Sequence, residues 1–224
     1  MTTFHVVTIF PDMFSSYLGE SMIARAVKSK KIAVKIYNLR DFTVDKHQQV
    51  DFKPYGGGPG MIFKPEPLIK AIDKIIRNKK KVKVVLFAPG GKSFTNPLAK
   101  TYAQKFDHIV LVAGRYEGID ARIKKIFKAE ELSIGPYILT GGELPAMIVV
   151  DAVARQIKGV LGKEESLEEG RPAGTEIYTR PEVVAYKGKK YKVPPILLSG
   201  DHKKIEEWRT AKVAKKTNLT LHKS

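Results

Sequence analysis

Four glycines fall within the eight residues of "PYGGGPGM" (54–61), and further clusters follow at "APGGKS" (88–93), "AGRYEGID" (113–120) and "SIGPYILTGGELP" (133–145). Glycine runs of this density suit phosphate chemistry, because bare backbone N–H groups can close around an anion. Two fingerprints test that reading. A P-loop needs a glycine five residues before its Gly-Lys-Ser/Thr. "APGGKS" ends in Gly91-Lys92-Ser93, but the required first glycine falls on Leu86. A dinucleotide loop needs G-x-G-x-x-G, and the third position falls on Met61 counting from Gly56 and on Phe63 counting from Gly58. Neither a triphosphate nor a dinucleotide cradle is present. The later clusters instead sit just beyond apolar runs and carry Tyr116, Ile134, Tyr137 and Leu139. In an open parallel sheet, ligands bind outside the carboxyl ends of the strands. Three such loops predict a concave, mostly apolar pocket with backbone donors. That suits adenine and a sulfonium chain better than a polyphosphate, since no Lys or hydroxyl is placed for phosphate.

The elements that must hold these loops read as α/β. "FHVVTIF" (4–10), "IAVKIYNL" (32–39), "KVVLFA" (83–88) and "HIVLVA" (108–113) are β-branched runs of buried-strand type. Helical patterns lie between and after them. "PEPLIKAIDKIIRNKK" (65–80) puts Leu68, Ile69, Ile72, Ile75 and Ile76 on one face, and "NPLAKTYAQKF" (96–106) is a weaker case. "GELPAMIVVDAVARQI" (142–157) is mostly apolar, as a buried or interface helix would be. The alternation predicts a largely parallel sheet with flanking helices over residues 1–161. An acidic Gly/Pro-containing linker follows at 162–177. A basic tail domain occupies 178–224, with Asp201 placed to cap a helix over 202–216 whose Ile205 and Trp208 face inward.

Composition narrows the partners. Forty Lys+Arg against 23 Asp+Glu give a formal charge of +17. Residues 181–224 hold eleven basic residues against four acids, so the last fifth of the chain carries a large share of the surplus. Such a balance favours polyanions, RNA foremost. The absence of cysteine removes disulfides, thiolate metal sites and cysteine nucleophiles. The N-terminus reads as a strand rather than a signal peptide, and no run is long enough for a membrane helix, so a cytoplasmic protein is expected.

Seven stretches carry a resemblance: "TIFPDMF", "LRDFTVDKHQQVDFKPYGGGPGM", "VAGRYEGID", "SIGPYILTGGELPAM", "GVLG", "YTRPEV" and "VPPILLSGDHKKIEEWR". Together, over about residues 4–209, they resemble the bacterial tRNA (guanine-N1)-methyltransferase family. The resemblance implies methyl transfer from S-adenosylmethionine to N1 of the guanosine at tRNA position 37. It implies a SPOUT-type domain with a C-terminal trefoil knot and a small helical tRNA-binding domain, here abbreviated. It also implies a homodimer with its active site at the subunit interface, tRNA rather than DNA as partner, and a Mg²⁺ requirement whose site the residues do not reveal. Matched motif by motif, Pro89, Gly114, Tyr116, Glu117, Ile134, Gly135, Pro136, Tyr137, Ile138, Leu139, Gly141 and Gly142 line the methyl-donor pocket. Arg155 faces the guanine. His47, Asp51, Pro59 and Gly60 belong to the substrate side, and Tyr178, Arg180 and Arg209 to the tRNA backbone. On this reading, substitution of Gly60 harms RNA methylation far more than methyl-donor binding.

The reaction itself sets demands. Guanine N1 is protonated at neutral pH, so a carboxylate must take the proton while a cation or N–H donor meets the charge growing on O6. Arg155 suits O6 because a guanidinium stays charged and offers a fork of donors; the plainer alternative is an ion pair with Asp151 one turn earlier. The base is where the chain departs from the family. The linker aspartate position falls on Gly170, leaving Glu169 as the base, with Glu168 and Asp51 as alternatives. Phe52 and Pro136 stand where the family carries acidic residues. Two other readings remain open: a related knotted methyltransferase with another RNA target, and a tRNA-binding homologue with impaired catalysis.

Overall fold

The computed structural model describes residues 1–115, 117–161 and 176–221. The chain divides into two compact units, Met1–Glu164 and Glu165–Ser224. The first is built on a five-stranded sheet of β1 (Thr2–Thr8), β2 (Ile32–Asn38), β5 (Val82–Ser93), β6 (His108–Val112) and β7 (Glu130–Ser133). The spatial order is β2-β1-β6-β5-β7 and every neighbouring pair is parallel. A short antiparallel pair, β3 (Asp51–Phe52) with β4 (Ile62–Phe63), stands apart from the sheet.

Both faces of the sheet are covered, which is why its strands are apolar throughout. Phe4, Val6, Ile109 and Leu111 point to one side. There they meet α2 (Ser21–Lys28), α4 (Asn96–Lys105) and α6 (Glu143–Arg155) through Ile23, Ala26, Tyr102, Val149 and Val153. Val7, Val84, Leu86, Val110 and Val112 point to the other side. They meet Leu68, Ala71, Ile72 and Ile75 of α3 (Pro65–Ile76) and Ile123 of α5 (Arg122–Phe127). Each large aliphatic side chain buried this way contributes about 1.5–3 kcal/mol. Pro65 occupies the first turn of α3, where its missing N–H costs nothing.

Two features of the sheet depart from the sequence reading. Strand β5 continues past Ala88 to Ser93, with an irregularity between Phe87 and Lys92 after which pairing with β7 resumes. Gly91 permits this, since a Cβ there would lie 2.8 Å from the backbone carbonyl of Glu131. Strand β7 itself was not foreseen: "EELS" is four residues long with two acids, and it forms because β5 offers a free edge.

In the second unit, β8 (Val183–Tyr186) and β9 (Lys189–Lys192) make an antiparallel hairpin ahead of α7 (His202–Leu221), so this unit is not helical alone. Asp201 caps α7 as expected, its Oδ1 accepting from the Lys204 N–H at 3.1 Å. The linker 162–177 lies outside the described residues apart from its last two. Among the described residues no helix is long and apolar enough to cross a membrane.

Candidate active site

The irregular stretch of β5 around Leu86–Pro89 and the loops that leave β6 and β7 at their carboxyl ends line a pocket of about 490 Å³. Pro89, Gly114, Glu117, Ile134, Gly135, Tyr137, Ile138, Leu139, Gly141 and Gly142 all line it. Tyr116 lies outside the described residues. Pro136 is exposed and is not among the lining residues, though its neighbours Gly135 and Tyr137 are. The glycines are needed for close approach. A Cβ on Gly142 would stand 2.7 Å from the Ala113 Cα, and the Gly142 N–H donates to the Gly114 carbonyl at 2.8 Å. A side chain there would part the loop after β6 from the start of α6 and open the pocket wall.

Beneath this wall lies a polar network that sequence reasoning missed. Glu143, 1% exposed, accepts from Thr8 Oγ1 at 3.0 Å and from Arg115 Nε at 2.9 Å. Arg115 also lies over the Phe10 ring, 4.7 Å from its centroid. The buried carboxylate is thus paired and hydrogen-bonded by a partly exposed guanidinium, the condition under which buried charge is tolerated. The network ties β1, the loop after β6 and α6 into one frame. Its only sequence signal is an Arg and a Glu within two glycine motifs 28 residues apart.

The loop 53–61 connects β3 to β4, so "PYGGGPGM" is the turn of a hairpin, with Asp51 at its base and Pro59 and Gly60 near its return. Gly56, Gly57, Gly58 and Gly60 have φ of +84°, +80°, +119° and +76°, a region that L side chains rarely adopt. The hairpin leans on the pocket loop: the Glu117 N–H donates to the Met61 carbonyl at 3.0 Å and the Phe63 N–H to the Gly118 carbonyl at 3.0 Å. A Cβ on Gly60 would come within 2.6 Å of Glu117 Cγ. Gly60, expected on the substrate side, thus packs against Glu117, which lines the pocket. His47 is exposed, its N–H donating to Asp45 Oδ1 at 3.1 Å.

Arg155 is not brought to this pocket. It ends α6, thirteen residues long, about 20 Å along the helix from the pocket glycine Gly142. The ion pair with Asp151 does not form; Asp151 accepts a hydrogen bond from Tyr17 instead, and burial together with that bond pushes the Tyr17 phenol up to about 12. Glu168 and Glu169 lie outside the described residues. Tyr178, Arg180 and Arg209 come together in the second unit, around a cleft also lined by Leu197 and Ile205. There the Tyr178 hydroxyl donates to Glu176 at 2.8 Å, and Arg209 lies 3.6 Å from Glu206. Among the described residues no group of three or more His, Asp or Glu side chains is arranged to hold a metal ion.

A profile described as tRNA (Guanine-1)-methyltransferase TrmD matches residues 2–222. A tRNA (guanine-N(1)-)-methyltransferase of Dictyoglomus turgidum is 46% identical over 98% of this chain and 88% of its own. One from Clostridioides difficile is 44% identical over 98% and 97%. One from Pseudoalteromonas atlantica is 47% identical over 92% and 78%. With a family match over nearly its whole length and relatives at this level of identity, the chain belongs to the tRNA (Guanine-1)-methyltransferase family.

Proposed function

We propose that this enzyme transfers a methyl group from S-adenosylmethionine to N1 of the guanosine at tRNA position 37, with donor and guanine meeting above the carboxyl ends of β5, β6 and β7. The observation that carries the reading is the pocket itself: residues spread from Pro89 to Gly142 converge on one hollow, apolar at Ile134, Ile138 and Leu139 and charged at Arg115, Glu117, Asp120, Lys124 and Glu131. The residues fit the donor. The approach of Gly142 to Ala113 leaves backbone rather than side chain at the wall, and Ile134, Ile138 and Leu139 supply apolar surface for adenine. When bound, S-adenosylmethionine supplies an activated methyl group, so the chain must mainly position the guanine and manage one proton. Glu169 takes the N1 proton, and Arg155 donates to O6 as negative charge grows there. Removing such a donor costs on the order of 10²–10³ in rate.

The distance of Arg155 from its own pocket supports a homodimer in which each pocket is completed by the other copy's arginine. Phe10, Met13, Tyr17, Leu144 and Ile148 are exposed apolar side chains on α6 and the adjoining residues 10–18, and they offer a face for that contact. The path after β7 supports a SPOUT-type trefoil knot. The chain leaves the sheet edge at Ser133, and by Gly142 and Glu143 it is bonded to Gly114 and Thr8, beyond β5. The second unit holds tRNA through Tyr178, Arg180, Arg209 and its lysines, acting on phosphates that position rather than identify the substrate. The implied Mg²⁺ finds no fitting group of ligands among the described residues. The decisive assay incubates the enzyme with methyl-labelled S-adenosylmethionine, Mg²⁺ and tRNA transcripts carrying G37 or A37. Labelling of G37 alone is expected; equal labelling of both, or of neither, refutes the reading.

A further inference from the structure

The hairpin that carries the glycine loop presents two aromatic rings to solvent. Phe52, the last residue of β3, is 59% exposed, and Tyr55, at the loop tip, is 99% exposed. Single exposed aromatics are ordinary. These two lie three residues apart in "FKPY" and contribute almost nothing to the core. Their support is nevertheless firm. The Lys64 N–H donates to the Val50 carbonyl at 2.8 Å, and the Glu117 and Phe63 N–H groups tie the return strand to the pocket loop. The base and return strand of the hairpin are therefore held beside the pocket, and the tip projects from them.

Charge surrounds the rings. Lys64 Nζ lies 5.8 Å from the Phe52 centroid while donating to Gln49 Oε1 at 3.2 Å. Lys53 separates the two aromatics in sequence and is exposed, as is Arg122, whose guanidinium is paired with Asp120. Aromatic rings with cations beside them, on a projecting loop, match single-stranded RNA, where each base offers a π-face and each nucleotide a phosphate. Guanine N1 lies on the Watson–Crick edge, so the target base must be unpaired when it reacts. A nucleotide beside it then loses its own stacking partner.

We propose that Phe52 and Tyr55 form a stacking platform for an unpaired nucleotide flanking the target guanine, with Lys53 on the adjoining phosphate. This rests on the proposed function above and adds a second point at which the enzyme grips its substrate. Glycines at 56–58 suit such a platform, since a Cβ at any of them would meet nothing within 4 Å and their freedom lets the tip settle on a base.

The test measures binding of the full-length enzyme to an anticodon stem-loop RNA bearing G37, beside RNAs with a single abasic site at 36 or 38. Tyr55→Ala should weaken binding of the intact RNA by about tenfold, while Tyr55→Phe binds as the unsubstituted enzyme does. On one of the two abasic RNAs the Tyr55→Ala penalty should disappear. Lys53→Ala should lower the slope of log affinity against log salt by about one, and Tyr55→Ala should leave it unchanged. S-adenosylmethionine affinity and melting temperature serve as controls and should not move. Wild-type affinity in Tyr55→Ala, equal losses in the Ala and Phe variants, or a penalty undiminished on both abasic RNAs would overturn the proposal. So would weaker self-association with unchanged RNA affinity, which would assign Tyr55 to the subunit contact. Methylation of G37 by the unsubstituted enzyme tests the function separately, because it does not depend on what Tyr55 touches.

Discussion

Replacing Gly60 by alanine probes the joint between the hairpin and the donor pocket. At φ +76° an L side chain adds about 1–2 kcal/mol of backbone strain. The new Cβ would also fall 2.6 Å from Glu117 Cγ and 2.8 Å from Glu117 Oε1, closer than such atoms approach. The Glu117 backbone cannot retreat without breaking its bond to the Met61 carbonyl. Its side chain must therefore leave its rotamer, at a further cost of about 1 kcal/mol. Gly57→Ala provides the comparison, since φ is +80° but nothing lies within 4 Å of the added Cβ. Urea denaturation should show Gly57→Ala less stable by about 1–2 kcal/mol and Gly60→Ala by about 2–3 kcal/mol. Calorimetric titration with S-adenosylmethionine should separate the two further. Displacing Glu117 weakens donor binding about tenfold in Gly60→Ala, a loss of about 1.4 kcal/mol, whereas Gly57→Ala binds the donor normally. Equal donor affinities for the two variants would refute a mechanical link between Gly60 and the pocket.

Three further outcomes follow from the same geometry. Glu143→Gln removes the anion facing Arg115 in a nearly sealed site, and urea denaturation should show a loss of about 3 kcal/mol, with donor binding falling as the loop after β6 loosens. Copies carrying Arg155→Ala and copies carrying Gly142→Val should each be inactive, yet mixing and re-forming dimers should restore turnover, because one pocket then has both its wall and its partner arginine; no recovery would place Arg155 with its own chain's pocket. His5, buried in β1, lies 3.0 Å from the Tyr37 hydroxyl and 3.2 Å from His108 Nδ1; burial first, then His108, Lys79 and Lys35, lower its pKa to about 4. With the folded pKa below the unfolded value near 6.5, the unfolded chain binds protons more readily in that window. Stability should therefore fall as pH drops from about 6.5 to 4, by on the order of 2 kcal/mol, and His5→Phe should flatten that part of the profile in a pH series of melting curves.

Much of the pocket lining was legible in the sequence. Gly114, just beyond the apolar run 108–113, and Gly141 and Gly142, just before the apolar run of α6, can be read locally, because strand ends and turn residues are set by neighbours in the chain. The failed P-loop and dinucleotide tests were equally local and excluded phosphate chemistry on spacing alone. The two faces of the sheet could also be anticipated, since continuous runs such as "HIVLVA" have no polar side to leave in water. Strand β7 could not be read this way: a four-residue acidic segment has no period, and only the waiting edge of β5 makes it a strand.

What tertiary structure alone decided is distance across the chain. The sheet order β2-β1-β6-β5-β7 is not the sequence order, and hydrophobic pattern encodes which residues are buried but not which strands become neighbours. That order carries Glu143 to Thr8, 135 positions away, and Gly142 to Gly114. The hairpin then sets Gly60 against Glu117. Helix geometry decided the last point: a rise of about 1.5 Å per residue over α6 leaves Arg155 at the far end from the pocket that its chemistry would serve. Residue types named the reaction's needs. The packing of the chain determined which of them stand together at the pocket.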